Sequence, residues 1–192
     1  MIISIDGNIG CGKSTLLSHI EKRLPAFDVL QEPVDSWQRW LDAIYAGKKK
    51  GELFPFQVNV WKDRCLKVKP SQFTKQVIER SPLFQRHVFV DGNKDYMSKL
   101  QYDLLSELYE LIEWEPVVYI YLRSDPDKCM ERIAKRGRRS EDKIDAEYIH
   151  KLHRLHEECI ESCGREIIII DVEGKTPAQV AEEVLTAILS SI

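Results

Sequence analysis

Gly7-Asn8-Ile9-Gly10-Cys11-Gly12-Lys13-Ser14 follows the β-branched run Ile2-Ile3-Ser4-Ile5-Asp6 and leads into a helical pattern, an order that leaves few folds open. Glycines let successive backbone N–H groups turn inward around an anion without Cβ clashes, and the helix that starts there adds the positive end of its dipole. Lys13 supplies a mobile positive charge for β and γ phosphates. The Ser14 hydroxyl suits Mg²⁺, with Thr15 beside it in the first turn. A glycine turn of no function would need neither a strand before it nor a helix after it. Here Leu16, Leu17, Ile20 and Leu24 fall on one helical face before Pro25 stops the pattern. The chain is expected to bind a nucleoside triphosphate through Gly7, Asn8, Ile9, Gly10, Cys11, Gly12, Lys13, Ser14 and Thr15.

Beyond that loop, short β-branched runs alternate with longer helical patterns, as in a parallel sheet covered on both faces. The spacing predicts strands over 2–6, 28–32, 75–79, 117–123 and 166–171. Helices are predicted over 13–24, 36–46, 55–68, 82–88, 94–114, 126–135, 145–162 and 177–190. The expected fold class is α/β, a five-stranded parallel sheet of the P-loop NTPase type. It forms one domain over 1–192, with an arginine-rich lid at about 136–145.

The net charge of −3 offers no general attraction to nucleic acid or to an anionic membrane. No apolar run nears the roughly 18 residues of a membrane span, and the first strand starts almost at Met1. A cytoplasmic protein with neither nucleic acid nor membrane as partner is expected. Cys11, Cys65, Cys129, Cys159 and Cys163 form no CxxC pair and are expected as reduced thiols. His150, His153 and His156 precede Cys159 and Cys163, but at i, i+3, i+6 they fan around a helix rather than converge on a metal. Lys48-Lys49-Lys50 reads as a solvated loop.

In an open parallel sheet, ligands lie beyond the carboxyl ends of the strands. Here those ends carry the phosphate loop, Glu32, Glu79-Arg80, Arg123 and Asp171-Val172-Glu173. Pro33 holds Glu32 extended, and a carboxylate there suits a general base that orients and deprotonates an acceptor hydroxyl; a salt-bridged strand end is the plainer role. Glu79 closes a buried-looking run where an acidic residue would join Ser14 at Mg²⁺. The Arg80 fork can reach both the acceptor oxygen and Glu32. Arg132, Arg136, Arg138 and Arg139 alone would be a solvated cationic helix end. Over a bound triphosphate they exclude water and stabilise transition-state charge.

The ordered set of the phosphate loop, Glu32-Pro33-Val34 with Trp37, Phe56-Gln57, Glu79-Arg80-Ser81, Arg132 with Arg136-Gly137-Arg138, and Tyr148 with Leu152-His153 resembles the deoxynucleoside kinase family. That family includes mitochondrial-type thymidine kinase, deoxycytidine kinase and deoxyguanosine kinase. The resemblance covers the chain from Ile2 to about Asp171. It implies transfer of the γ-phosphate of ATP, with Mg²⁺, to the 5′-hydroxyl of a deoxynucleoside. It implies Glu32 as base at that hydroxyl, Arg80 on the same oxygen and Glu79 at the magnesium. Lys13, Arg132, Arg136 and Arg138 would act on the phosphates.

The same resemblance implies that Gln57 reads the base edge, that Trp37, Phe84 and Phe89 wall the base, and that Tyr45 and Glu141 grip the sugar 3′-hydroxyl. Tyr45 fits only with one extra residue before Gln57. Asp171, Val172 and Glu173 would lie along the donor adenine. Arg64 falls where several members carry an arginine, but their partner aspartate is replaced by Gln85. A neutral amide cannot neutralise Arg64, so each is left to the other, to the base, or to Asp63, and the preferred base stays open. Members dimerise through helices of the 94–114 region, and a homodimer is expected. Leu100, Leu104, Leu108, Leu111 and Ile112 there would serve equally as a core face. A nucleoside monophosphate kinase would want more basic residues for an acceptor phosphate. A non-catalytic nucleotide-binding subunit would not keep Lys13, Ser14, Glu32, Glu79 and Arg80 together.

Overall fold

In the computed structural model, residues 1–71, 73–138 and 141–191 are described. Arg139, grouped above with the lid arginines, lies outside them. The strands are β1 (Ile2–Gly7), β2 (Asp28–Leu30), β3 (Gln76–Glu79), β4 (Val118–Arg123) and β5 (Ile167–Asp171). They form one all-parallel sheet in the order β2-β3-β1-β4-β5. β1 is buried along its length and β4 nearly so, which explains their continuous apolar reading: both faces are covered. Ile5 lies opposite Glu79, Gly7 opposite Leu122, and Arg123 opposite Asp171, so the carboxyl ends share one rim.

The helices are α1 (Lys13–Arg23), α2 (Val34–Ala43), α3 (Lys49–Lys67), α4 (Pro82–Phe84), α5 (Lys99–Glu110), α6 (Pro126–Arg136), α7 (Ala146–Ser162) and α8 (Pro177–Ser190). The main core lies between the sheet and its helices, with Ile3, Ile5, Leu17, Ile20, Val77, Ile120, Ile149 and Leu152 at its centre. A second cluster of Trp37, Ile44, Leu53, Phe56 and Val60 packs α2 against α3.

Several boundaries move for identifiable reasons. The second strand stops at Leu30, because the Glu32 N–H turns to the Glu79 carboxylate at 3.2 Å instead of continuing the ladder. The helix expected over 94–114 begins at Lys99, where Ser98 and Gln101 close a capping box; Asp91–Tyr96 ahead of it is a tighter 3-10 turn. On α5, Leu105 and Tyr109 are buried with Leu108 and Ile112 packed against them, while Leu100, Leu104 and the C-cap residue Leu111 are 80%, 44% and 68% exposed, so the expected leucine series divides between core and surface. The lysine run is no open loop. Lys49 starts α3, and the chain breaks at Lys50 and Gly51, the latter at φ 119°.

The histidines of α7 part as their spacing requires. His150 pairs with Asp127 at 2.9 Å, while His156 packs against both Phe84 and Tyr121 with Nδ1 on the Leu152 carbonyl at 2.6 Å. Burial pushes the His156 pKa well below its usual value, so this ring is neutral. The five cysteines are free thiols. No described helix is long and apolar enough to cross a membrane.

Candidate active site

The phosphate loop is held by contacts that only glycine permits. Gly10 sits at φ 83°, and a Cβ there would lie 2.6 Å from the Cys129 carbonyl oxygen on α6. Gly12 caps α1 at φ 106° with no side-chain hydrogen bond, leaving the first-turn N–H groups of α1 directed to the cavity side. Asn8 braces the loop by accepting from the Ile9 N–H at 2.8 Å and donating to the Ile149 carbonyl at 2.9 Å. The Lys13 ammonium donates to the Gly7 and Asn8 carbonyls at 3.1 and 2.9 Å. Gly10, Gly12, Lys13, Ser14 and Thr15 line a cavity of about 590 Å³.

At the centre of that cavity Glu32 meets Arg80, with Nε 3.2 Å from the carboxylate and both side chains at most 12% exposed. Arg80 also donates from Nη1 to the Gly7 carbonyl at 2.9 Å, and its guanidinium lies 4.3 Å over the Phe89 ring. It is the one non-glycine residue with positive φ, 64°, among the described residues. Such backbone costs on the order of 1–3 kcal/mol. Asp6, buried on β1, accepts from the Ser81 N–H at 2.8 Å and from its hydroxyl at 3.2 Å, and the Arg80 N–H donates to Ile5 at 3.0 Å. The strained residue is thus tied down on both sides.

Glu79 accepts from the Ser14 hydroxyl at 3.5 Å and from the Glu32 N–H at 3.2 Å. Burial raises its pKa first and the Glu32 charge adds to that, while Lys13 and Arg80 oppose it. Burial works against the Arg80 charge, yet the carboxylates of Glu32 and Glu79 raise its pKa, so it stays cationic. Oxygen donors of Ser14 and Glu79 on one wall fit a hard divalent cation shared with phosphate oxygens. No described group of three or more His, Cys, Asp and Glu side chains could hold a metal alone.

The far end of the cavity is apolar. Trp37, Ile44, Leu53, Phe56, Val60 and Phe89 line it, with Trp37 edge-on to Phe56 at 5.7 Å. Trp37 donates from Nε1 to Asp63 at 2.7 Å and Lys62 pairs with its other oxygen at 3.3 Å, so Asp63 is engaged away from Arg64. Two amides enter this end: Gln85 donates from Nε2 to the Gln57 Oε1 at 3.0 Å, and both residues line the cavity. The placement of Arg64 differs from expectation. It lies behind the cavity wall and donates from Nη1 to the Arg80 carbonyl. Phe84 also sits outside, fully buried and stacked on Tyr121.

Over the phosphate end, Arg132, Arg136, Arg138 and Glu141 line the cavity. Glu141 is 8% exposed and holds Arg136 at 2.6 Å and Arg138 at 3.7 Å. Tyr45 lines the same space, its pKa raised by burial and then by Tyr148 and Glu141. The segment after β5 departs from the expected contact: Asp171, Val172 and Glu173 do not line the cavity. Val172 is buried, and Glu173 joins Arg132 at 3.4 Å and the Ser124 hydroxyl at 2.7 Å. Sequence reasoning named Val34 and Tyr148 without giving them a role and left out Lys135, yet all three line the cavity. An apolar or cationic residue there carries the same signature as core or surface.

A family model described as deoxynucleoside kinase matches residues 3–192. "Deoxycytidine kinase 2" of Gallus gallus is 32% identical over 81% of the chain and 72% of its own length. "Putative kinase protein 143R" of Invertebrate iridescent virus 6 is 30% identical over 97% of the chain and 96% of its own. Among solved structures, deoxyadenosine kinase from M. mycoides with bound dCTP superposes with a TM-score of 0.80 at 26% identity, covering 100% of both chains.

Proposed function

The chain belongs to the deoxynucleoside kinase family, and from that membership and the site's geometry we propose that it transfers the γ-phosphate of ATP to a deoxynucleoside 5′-hydroxyl. The observation that carries this reading is the pair of Glu32 and Arg80 at 3.2 Å, between a phosphate cradle and an apolar slot. A hydroxyl placed there is oriented by the Arg80 fork and loses its proton to a Glu32 oxygen as it attacks in line. Lys13 and the first-turn N–H groups of α1 hold the transferred phosphate, and Arg132, Arg136 and Arg138 screen it from water. Ser14 and Glu79 would hold Mg²⁺, which supplies charge neutralisation between the β and γ phosphates. Tyr45 and Glu141 face the same space and suit the sugar 3′-hydroxyl.

The test is a panel of deoxynucleosides and deoxynucleoside monophosphates incubated with ATP and Mg²⁺, with products resolved by chromatography. A 5′-monophosphate formed from a deoxynucleoside is the expected product. Conversion of monophosphates alone would transfer the chain to the monophosphate kinases.

The homodimer rests on α5. Leu100, Leu104 and Leu111 stand 80%, 44% and 68% exposed on one helix, an apolar face unusual for a monomer. Leu100→Glu with Leu104→Glu is expected to halve the mass seen by sedimentation velocity while the circular dichroism spectrum stays unchanged. An unchanged sedimentation coefficient would remove this face from the interface.

A further inference from the structure

The base end of the cavity contains no formal charge of its own. Arg64, the cation that the sequence places nearest to it, donates to the Arg80 carbonyl behind the wall. What remains is Gln57 and Gln85, 2% and 4% exposed, joined by one hydrogen bond at 3.0 Å across an apolar slot.

Each primary amide carries one donor end and one acceptor end. With Gln85 Nε2 donating to Gln57 Oε1, the atoms left for a ligand are the Gln57 NH₂ and the Gln85 carbonyl oxygen. If both amides rotate by half a turn, the bond between them re-forms in the opposite sense. The exposed atoms are then the Gln57 carbonyl oxygen and the Gln85 NH₂. The couple therefore has two internally satisfied states that present opposite patterns from the same positions.

Cytosine offers an acceptor at N3 beside a donor amino group at C4, whereas uracil and thymine offer a donor at N3 beside an acceptor oxygen at C4. The first state complements cytosine and the second complements the keto pyrimidines. Resting on the kinase reading above, we propose that Gln57 and Gln85 form an invertible amide couple through which this enzyme accepts pyrimidine deoxynucleosides of either hydrogen-bonding polarity. A carboxylate at position 85 would break the alternation, because it can only accept from the Gln57 NH₂ and then faces the base with a second acceptor beside the Gln57 carbonyl oxygen.

Deoxycytidine and deoxyuridine differ only in that polarity, so their kcat/KM ratio is the direct readout, with thymidine as the methylated companion. For the wild-type enzyme the ratio is expected within about tenfold of unity, far below the discrimination of a site built for one pattern. A ratio beyond tenfold in either direction overturns the proposal. Gln85→Glu is expected to lower kcat/KM at least about tenfold for both substrates, since the carboxylate draws the Gln57 NH₂ to itself and leaves two acceptor atoms facing the base. Gln85→Met, which bonds neither pattern, is expected to lower both substrates about equally. Wild-type kcat/KM retained for either substrate in Gln85→Glu, or a loss confined to one substrate in Gln85→Met, overturns the proposal. If no deoxynucleoside gains phosphate at all, the kinase reading itself has failed. Turnover of one polarity alone would leave the kinase reading standing without the couple.

Discussion

Glu32→Gln is expected to lower kcat by about 10²–10⁴-fold while KM for both substrates stays within a few-fold. The amide matches the carboxylate in shape and can still accept from Arg80 Nε, which lies 3.2 Å away, so the wall of the cavity is kept. What it cannot do is take a proton from the attacking hydroxyl. The replacement also removes the charge that adds to burial in raising the Glu79 pKa. Steady-state kinetics with deoxynucleoside varied at saturating ATP, alongside calorimetric titration of nucleotide, separates the two quantities. A kcat within tenfold of wild type would take the base role from Glu32.

Lys13→Ala is expected to reduce kcat/KM for ATP on the order of 10³-fold. Lys13 is only 5% exposed and its ammonium rests on the Gly7 and Asn8 carbonyls, so its charge is concentrated where phosphate oxygens would enter. On a side chain so buried, that charge is worth more than on a surface. Lys13→Arg is not expected to restore activity, because a planar fork cannot occupy the space of a compact ammonium beneath the loop. The check is the ATP dependence of turnover together with thermal unfolding. A variant that melts like wild type yet keeps its kcat/KM would exclude the role.

The features legible in the sequence are those with a fixed local mechanism. The phosphate loop, its strand and its helix were readable because glycine placement and hydrophobic period coincide. The carboxyl-end rule brought Glu32, Glu79 and Arg80 to one rim, and they line one cavity. Less legible was anything decided by a long side chain's choice among partners. Arg64 could be placed beside the base by its position in the chain, but its guanidinium satisfies the Arg80 carbonyl instead. Nothing in the chain's order signals that Arg80 takes a left-handed backbone, which exposes this carbonyl. Gln85 found its partner in Gln57, 28 positions away, a pairing that hydrophobic period cannot report. On α5 the series Leu100, Leu104, Leu108, Leu111 and Ile112 divides between core and surface, since a leucine stripe reads the same toward either.

The steric fit of Gly10 against α6 reaches beyond the loop itself. With no room for even a methyl group beside the Cys129 carbonyl, the turn beneath the phosphates and the helix bearing Arg132 and Arg136 are fused into a single stiff jaw. Damage that loosens this joint would therefore surface as poorer grip on the donor, with the acceptor's slot between α2 and α3 left intact.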